Sequence, residues 1–198
     1  CNNVTYYSFF YALRLKDKIK YDIIEIEEDV PMKKITHPHY KDYPEQPFIS
    51  SDRDLEAWEK TPEKFPYGYI EKKDMIRIEE GLLPGDMVLL WRINFGNITN
   101  EMELPQYFEY RYGFDTVESF KLLHEKELIR DASMYEVLGV ISVPILKRIL
   151  KDKGYPVTGK REDIVQRVRE NISEESLAQM IPTRLYVITD EGKALLDK

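Results

Sequence analysis

The stretch SVPILKRILKDKGYPVTGKREDIVQRVRE, Ser142 to Glu170, decides how the rest of the chain is read. Val143, Leu146, Ile149 and Leu150 recur at helical spacing, and Ile164, Val165, Val168 and Ile172 repeat the pattern after an interruption. That interruption carries turn chemistry. Gly154 suits the left-handed residue that ends a helix, and Pro156 prevents the same helix from continuing. Thr158 stands where its hydroxyl can cap the second helix by accepting from the first free amides. Two short amphipathic helices joined by a tight turn are expected.

Charge is concentrated in the same place. Lys147, Arg148, Lys151, Lys153, Lys160, Arg161, Arg167 and Arg169 face Asp152, Glu162, Asp163 and Glu170, eight basic residues against four acidic, a net of +4. The whole chain carries −7, which leaves −11 for everything outside this stretch. Such a total argues against nucleic acid coating the whole surface. A basic module on an acidic body is instead a locally aimed electrostatic footprint. A solvated helix surface by itself would account for about half of these charges.

The segment LKRILKDKGYPVTGKREDIVQRV resembles the SAP motif, a small helix–turn–helix DNA-binding module, through Leu146, Lys147, Leu150, Gly154, Pro156, Gly159, Lys160, Ile164, Val165 and Arg167. Tyr155 departs from it by standing where the motif usually carries leucine, an apolar slot that an aromatic ring can also fill. The resemblance, which covers about residues 142–170, implies binding to double-stranded DNA, often A/T-rich, without chemistry of its own. On that reading the DNA contact is made by Lys147, Lys151, Lys153, Thr158, Gly159, Lys160, Arg161 and Arg167. Amides near Gly159 and Lys160, at the positive end of the second helix, would hold a phosphate. Base-edge readers are scarce, with Gln166 the main one, so backbone and shape readout with low sequence specificity is expected. Affinity should be weak and fall steeply with salt.

A chain of 198 residues has room for one moderate domain or two small ones. Its 42% hydrophobic and 33% charged residues are ordinary for a globular protein. The longest apolar run, MVLLW, is far too short to span a bilayer. The single cysteine excludes an internal disulfide framework and fits a reducing, cytoplasmic compartment. Cys1 comes first with no signal peptide or lipobox to mark it for lipidation, and is read as following residues missing upstream.

Residues 1–80 form an N-terminal region of unclear fold. Val4 to Leu15 is aromatic and apolar, a strand or a helix that periodicity does not decide, and Tyr21 to Glu27 alternates like a strand. Pro31 to Pro47 reads as an extended loop, and Ser51 to Lys60 as a short capped helix. His37 and His39 have the H-x-H spacing of some metal sites, yet no cysteine follows and His124 lies in an unrelated helix. No metal, cofactor or catalytic constellation is expected. The glycines are scattered rather than gathered in a phosphate loop.

From Leu83 onward the pattern sharpens. Pro84 and Asp86 open a buried helix over Asp86 to Asn94, Gly96 to Asn100 is a turn, and Leu104 to Tyr112 is a second helix ending at Gly113. Asp115 caps a third, with Glu118 completing a capping box and Val117, Phe120, Leu122 and Leu123 as its apolar face. A strand then starts in Glu127 to Arg130. The segment YFEYRYGFDTVESFKLLHEKELI resembles the winged helix-turn-helix of bacterial regulators, and RLYVITDEGKALLDK resembles that family's final strand and helix, capped by Thr189 and packed through Leu195 and Leu196. The T-D-E-G-K-A-L-L ending implies a bacterial or phage protein.

The fold expected is α+β and mostly helical: a winged-helix-like domain over 81–130 and 184–198, with 131–183 inserted in its wing and the SAP-like core at 142–170. A simple tandem of helical bundle, module and terminal helix is the rival arrangement. The third helix sets Asp115, Glu118, Glu125 and Glu127 against Lys121 and Lys126, which suits a scaffold or protein contact better than a major groove. A non-enzymatic DNA-binding or DNA-associated protein is the expectation, with duplex DNA as partner and no membrane. The alternatives are an interaction or structural adaptor with a protein partner on the winged helix or N-terminal region, and an accessory subunit of a nuclease or recombinase.

Overall fold

Caps and buried stripes set the architecture of the computed structural model, which describes residues 37–50, 55–60 and 68–198. The described residues are α+β and mostly helical, with one small three-stranded sheet among them. The described helices are α1 (Leu55–Lys60), α2 (Pro84–Asn94), α3 (Tyr107–Tyr112), α4 (Thr116–Glu125), α5 (Met134–Val137), α6 (Val143–Asp152), α7 (Arg161–Asn171), α8 (Glu174–Met180) and α9 (Asp190–Leu196). The strands are β1 (Ile98–Thr99), β2 (Ile129–Asp131) and β3 (Leu185–Ile188), in the order β1-β3-β2. Among the described residues no helix is long and apolar enough to cross a membrane. The expected elements at Val4 to Leu15 and Tyr21 to Glu27, and the Ser51 cap, lie outside the described residues.

The chain divides into two compact units, one of which holds residues 96–102 and 130–187. Its core is Val137, Leu138, Ile141, Leu146, Ile149, Leu150, Ile164, Val168, Ile172, Leu177, Ile181 and Leu185, all buried. Antiparallel β1 lies on β3 with Ile98 opposite Tyr186. On the other side of β3, Ala132 N donates to Leu185 O at 2.8 Å and Thr189 N to Leu128 O at 3.0 Å. The partners' numbers have a constant sum, the register of an antiparallel pair, so the helical segment leaves and returns through neighbouring strands.

Two elements of this unit escape the sequence reading. Helix α5 is closed by a capping box in which Ser133 Oγ accepts from Glu136 N and Glu136 Oε2 accepts from Ser133 N. Helix α8 is capped by Ser173, whose Oγ accepts from Ser176 N. Glu174 Oε2 accepts from Met134 N at 2.7 Å and joins the two helices. Neither helix has enough turns to show a period, so spacing alone does not reveal them. The expected turn at Gly96 to Asn100 likewise contains β1; a strand of two residues is too short to alternate visibly.

In the other unit, residues 37–50, 55–60, 68–95, 103–129 and 188–198, packing is organised around α2. Leu89, Leu90 and Ile93 are buried, and Asp86, at 2% exposure, is bonded within the core. Its carboxylate accepts from Leu83 N at the start of α2 and from Ser119 Oγ on α4. The expectation of Asp86 as a helix-dipole partner thus gains a tertiary role. Helix α3 starts at Tyr107 rather than Leu104, after Pro105, and ends at Gly113 with φ +60°. On α4, Asp115 Oδ1 accepts from Val117 N as the cap, and Ser119 joins Leu123 in facing inward. Thr189 caps α9 through Gly192 N; a Cβ on Gly192 would come within 2.3 Å of Leu128 O.

Arg130 forks onto Glu136 with both N–O distances at 2.9 Å. This guanidinium, then the Ser133 amide, holds the Glu136 carboxyl at about 2, far below its ordinary 4.5. A depressed native value means the contribution is complete above pH 4.5 and is lost as the pH falls toward 2. Because the pair is about half exposed, screening leaves it about 1 kcal/mol at most. Glu136→Gln should remove about that much of the pH dependence between pH 5 and 2, read as a difference in urea midpoints between variant and wild type.

Candidate nucleic-acid interface

Helix α6 is fixed by its inner face. Leu146, Ile149 and Leu150 are buried, so Lys147, Arg148 and Lys151 project on the solvent side. The helix ends as its sequence indicates: Gly154 takes φ +78°, and Tyr155 N donates to Leu150 O at 2.8 Å. Lys153 follows the last turn and is exposed. Tyr155 is half-buried against the apolar core.

Residues 154–160 form the turn, and Arg167 holds it. Its Nη1 donates to Pro156 O at 2.8 Å and to Thr158 O at 2.9 Å. Gly159 has φ +124°, and a Cβ there would lie 3.0 Å from the Asp163 side chain. This left-handed residue displaces the expected cap. Helix α7 begins at Arg161 behind Lys160, and its first turn is closed by Asp163 Oδ2, which accepts from Lys160 N at 3.0 Å. Thr158 therefore stands two residues before the N-cap position; its carbonyl takes part and its hydroxyl does not cap.

The sequence groups eight basic residues that the structure separates. Arg161 Nη2 donates to Gly139 O at 2.7 Å and Leu138 O at 3.3 Å, and Arg169 Nη2 donates to Tyr135 O at 3.0 Å. With Arg167, all three arginines of α7 are engaged with main-chain carbonyls of their own unit. Lys147, Arg148, Lys151, Lys153 and Lys160 make no side-chain hydrogen bond or ion pair with the described residues. Arg148 was not among the expected contacts. The α6 stripe had the signal to place it, one residue from Lys147 and opposite the buried positions.

The outer face of α7 has the opposite character. Glu162, Asp163, Gln166 and Glu170 are exposed, with Gln166 Nε2 donating to Glu170 Oε1 at 2.8 Å. Glu162 and Asp163 already occupy the positive end of the helix dipole. The Lys160 amide, expected to help hold a phosphate, is taken by Asp163. A phosphate arriving there meets two carboxylates.

Beside Lys153 lies a shallow, open concavity of about 280 Å³, lined also by Tyr155, Asn171, Ile172, Ser173 and Ser176. Asn171 Nδ2 is committed to Arg167 O at 2.7 Å. Neighbouring Glu175 has its carboxyl lowered by its own backbone amide and by the Ser173 hydroxyl.

Among the described residues, no three His, Cys, Asp or Glu side chains are grouped to hold a metal ion. His37 Nδ1 accepts from His39 N, and His37 Nε2 lies 3.2 Å from Glu59. His39 stacks on Tyr69 at 3.8 Å.

Comparison with known proteins finds no matching family model, no similar curated protein and no similar solved structure.

Arg167→Met keeps the apolar stem and removes both turn-holding bonds. It should cost about 1 kcal/mol in urea unfolding, since the freed carbonyls are exposed to water. Hydrogen exchange should speed up over residues 155–160 and stay unchanged within α6.

Proposed function

We propose that this protein is a non-enzymatic DNA-binding or DNA-associated protein that contacts duplex DNA through phosphates and shape rather than base sequence. The observation that carries the reading is the group of exposed cations on α6 and the turn, unpaired among the described residues, in a chain whose net charge is −7. Cations unpaired within their own fold are the ones available to displace the counterions of a phosphate backbone. Low specificity is supported by Gln166, the main base-edge reader of the stretch, being bonded to Glu170.

In architecture, the reading is of a SAP-type helical pair, α6 and α7, displayed from a winged-helix-like domain. Its support is the motif in residues 142–170, the order α2, α3, α4 and β2 before the segment, and the pairing of β2 with β3 around it. The exposed face of α4, with Glu118 and Glu125 against Lys121, favours a scaffold role for that helix. Plain duplexes of unrelated sequence should be retarded about equally. Raising salt from 50 to 200 mM should weaken binding by about two orders of magnitude or more. Absence of retardation at 50 mM salt would sink the reading.

A second reading, a protein-interaction adaptor, is favoured by one observation in the other unit. Trp91 and Phe95, one turn apart on the solvent side of α2 and just past its end, are 51% and 61% exposed. Their rings meet edge to face at 4.6 Å. Large exposed aromatics of this kind are enriched where proteins bind one another. Under the adaptor reading, a partner retained from a native-host lysate by the wild type is lost by Trp91→Ala with Phe95→Ala, while DNA retardation is unaffected.

A further inference from the structure

We infer that the duplex lies along the outer face of α6, against Lys147, Arg148 and Lys151 and against Lys153 just past its end, and not against the N-terminal end of α7. The inference rests on the DNA-binding reading and adds to it the surface, a residue outside the expected set, and a limit on the number of phosphates engaged. Three observations lead to it. Three of the side chains project from α6, Lys147 and Lys151 one turn apart at about 6 Å along the axis, and Lys153 follows the helix's last turn. All four are unpaired among the described residues, and the run holds one acidic residue, Asp152, between Lys151 and Lys153.

The second observation is what α7 offers in comparison. Its arginines are held on carbonyls at Leu138, Gly139, Pro156, Thr158 and Tyr135. Drawing them onto phosphates would release the turn and the α5–α6 connection they hold. Its first turn presents Glu162 and Asp163, and the Lys160 amide is already donated. Lys160 itself stands beside that carboxylate pair.

Third, the ridge lacks the wide apolar face that an anionic membrane surface requires, Ile145 at 36% exposure being the large apolar side chain at its edge. A stiff, evenly charged phosphate backbone fits a straight cationic helix better.

The two surfaces differ in how many counterions they displace. Four contacts give a slope of log K against log salt of about −3.6. The six charged members of the set expected from sequence, Lys147, Lys151, Lys153, Lys160, Arg161 and Arg167, would give about −5.4.

The test is fluorescence-anisotropy titration of a plain 20-base-pair duplex with the full chain from 50 to 200 mM salt. Wild type should show a slope near −3.6, and Lys147→Gln with Lys151→Gln should reduce it to about −1.8. Glutamine keeps these exposed positions helical, and circular dichroism verifies the fold. Glu162→Gln, which removes a carboxylate from the α7 end, should leave affinity within about twofold of wild type. A wild type that binds while the lysine pair variant keeps its slope, or a severalfold gain from Glu162→Gln, overturns the α6 surface and leaves the DNA-binding reading standing. A wild type that does not bind at 50 mM salt overturns both.

Discussion

Leu146, Ile149 and Leu150 on α6 and Ile164 and Val168 on α7 share one buried cluster, and the other side chains of residues 130–187 take their orientation from it. Burying an aliphatic side chain contributes about 1.5–3 kcal/mol, while an exposed ion pair contributes at most about 1 kcal/mol. Apolar burial therefore sets the rotation of each helix, and charged residues occupy whatever directions are left. On α6 those directions hold lysines and Arg148. On α7 they hold carboxylates, with the arginines reaching sideways to neighbouring carbonyls.

That arginines rather than lysines serve the carbonyls around α7 follows from their hydration. A guanidinium is planar, weakly hydrated and able to bridge two acceptors, as Arg167 does between Pro156 and Thr158. An ammonium is strongly hydrated and stays in water unless it meets an anion of comparable demand. A sequence count gives both the same charge. In the folded unit the three arginines of α7 are part of the scaffold, while Arg148 and the lysines of α6 and the turn are unpaired among the described residues.

The α2-centred unit has its own constraint in Asp86, a buried carboxylate that closes the start of α2 and accepts from Ser119 on α4. An unpaired carboxylate at that depth would be costly, so the two helices are committed to one alignment. The apolar pattern made α4 legible but hid Ser119, a polar residue on the inner face whose reason is a partner 33 positions away. Helices α5 and α8 were illegible for a different reason, being too short for a period to emerge, although Ser133 and Glu136 carried the spacing of a capping box.

The sequence by itself determined the helices that are long enough to repeat, their ends at Gly113 and Gly154, the Thr189 and Asp115 caps, and the concentration of positive charge between Ser142 and Glu170. These are local properties, written in spacing and in backbone preferences a few residues wide. Tertiary structure alone decided that Asp163 rather than Thr158 closes α7, that β1 exists, and that the arginines of α7 face carbonyls. Each depends on atoms far apart in the chain or on a single backbone angle, as at Gly159, which residue identity permits but does not impose. The candidate site shows the same division: its charge is a sum over residues, and its location is a matter of which residues already have partners.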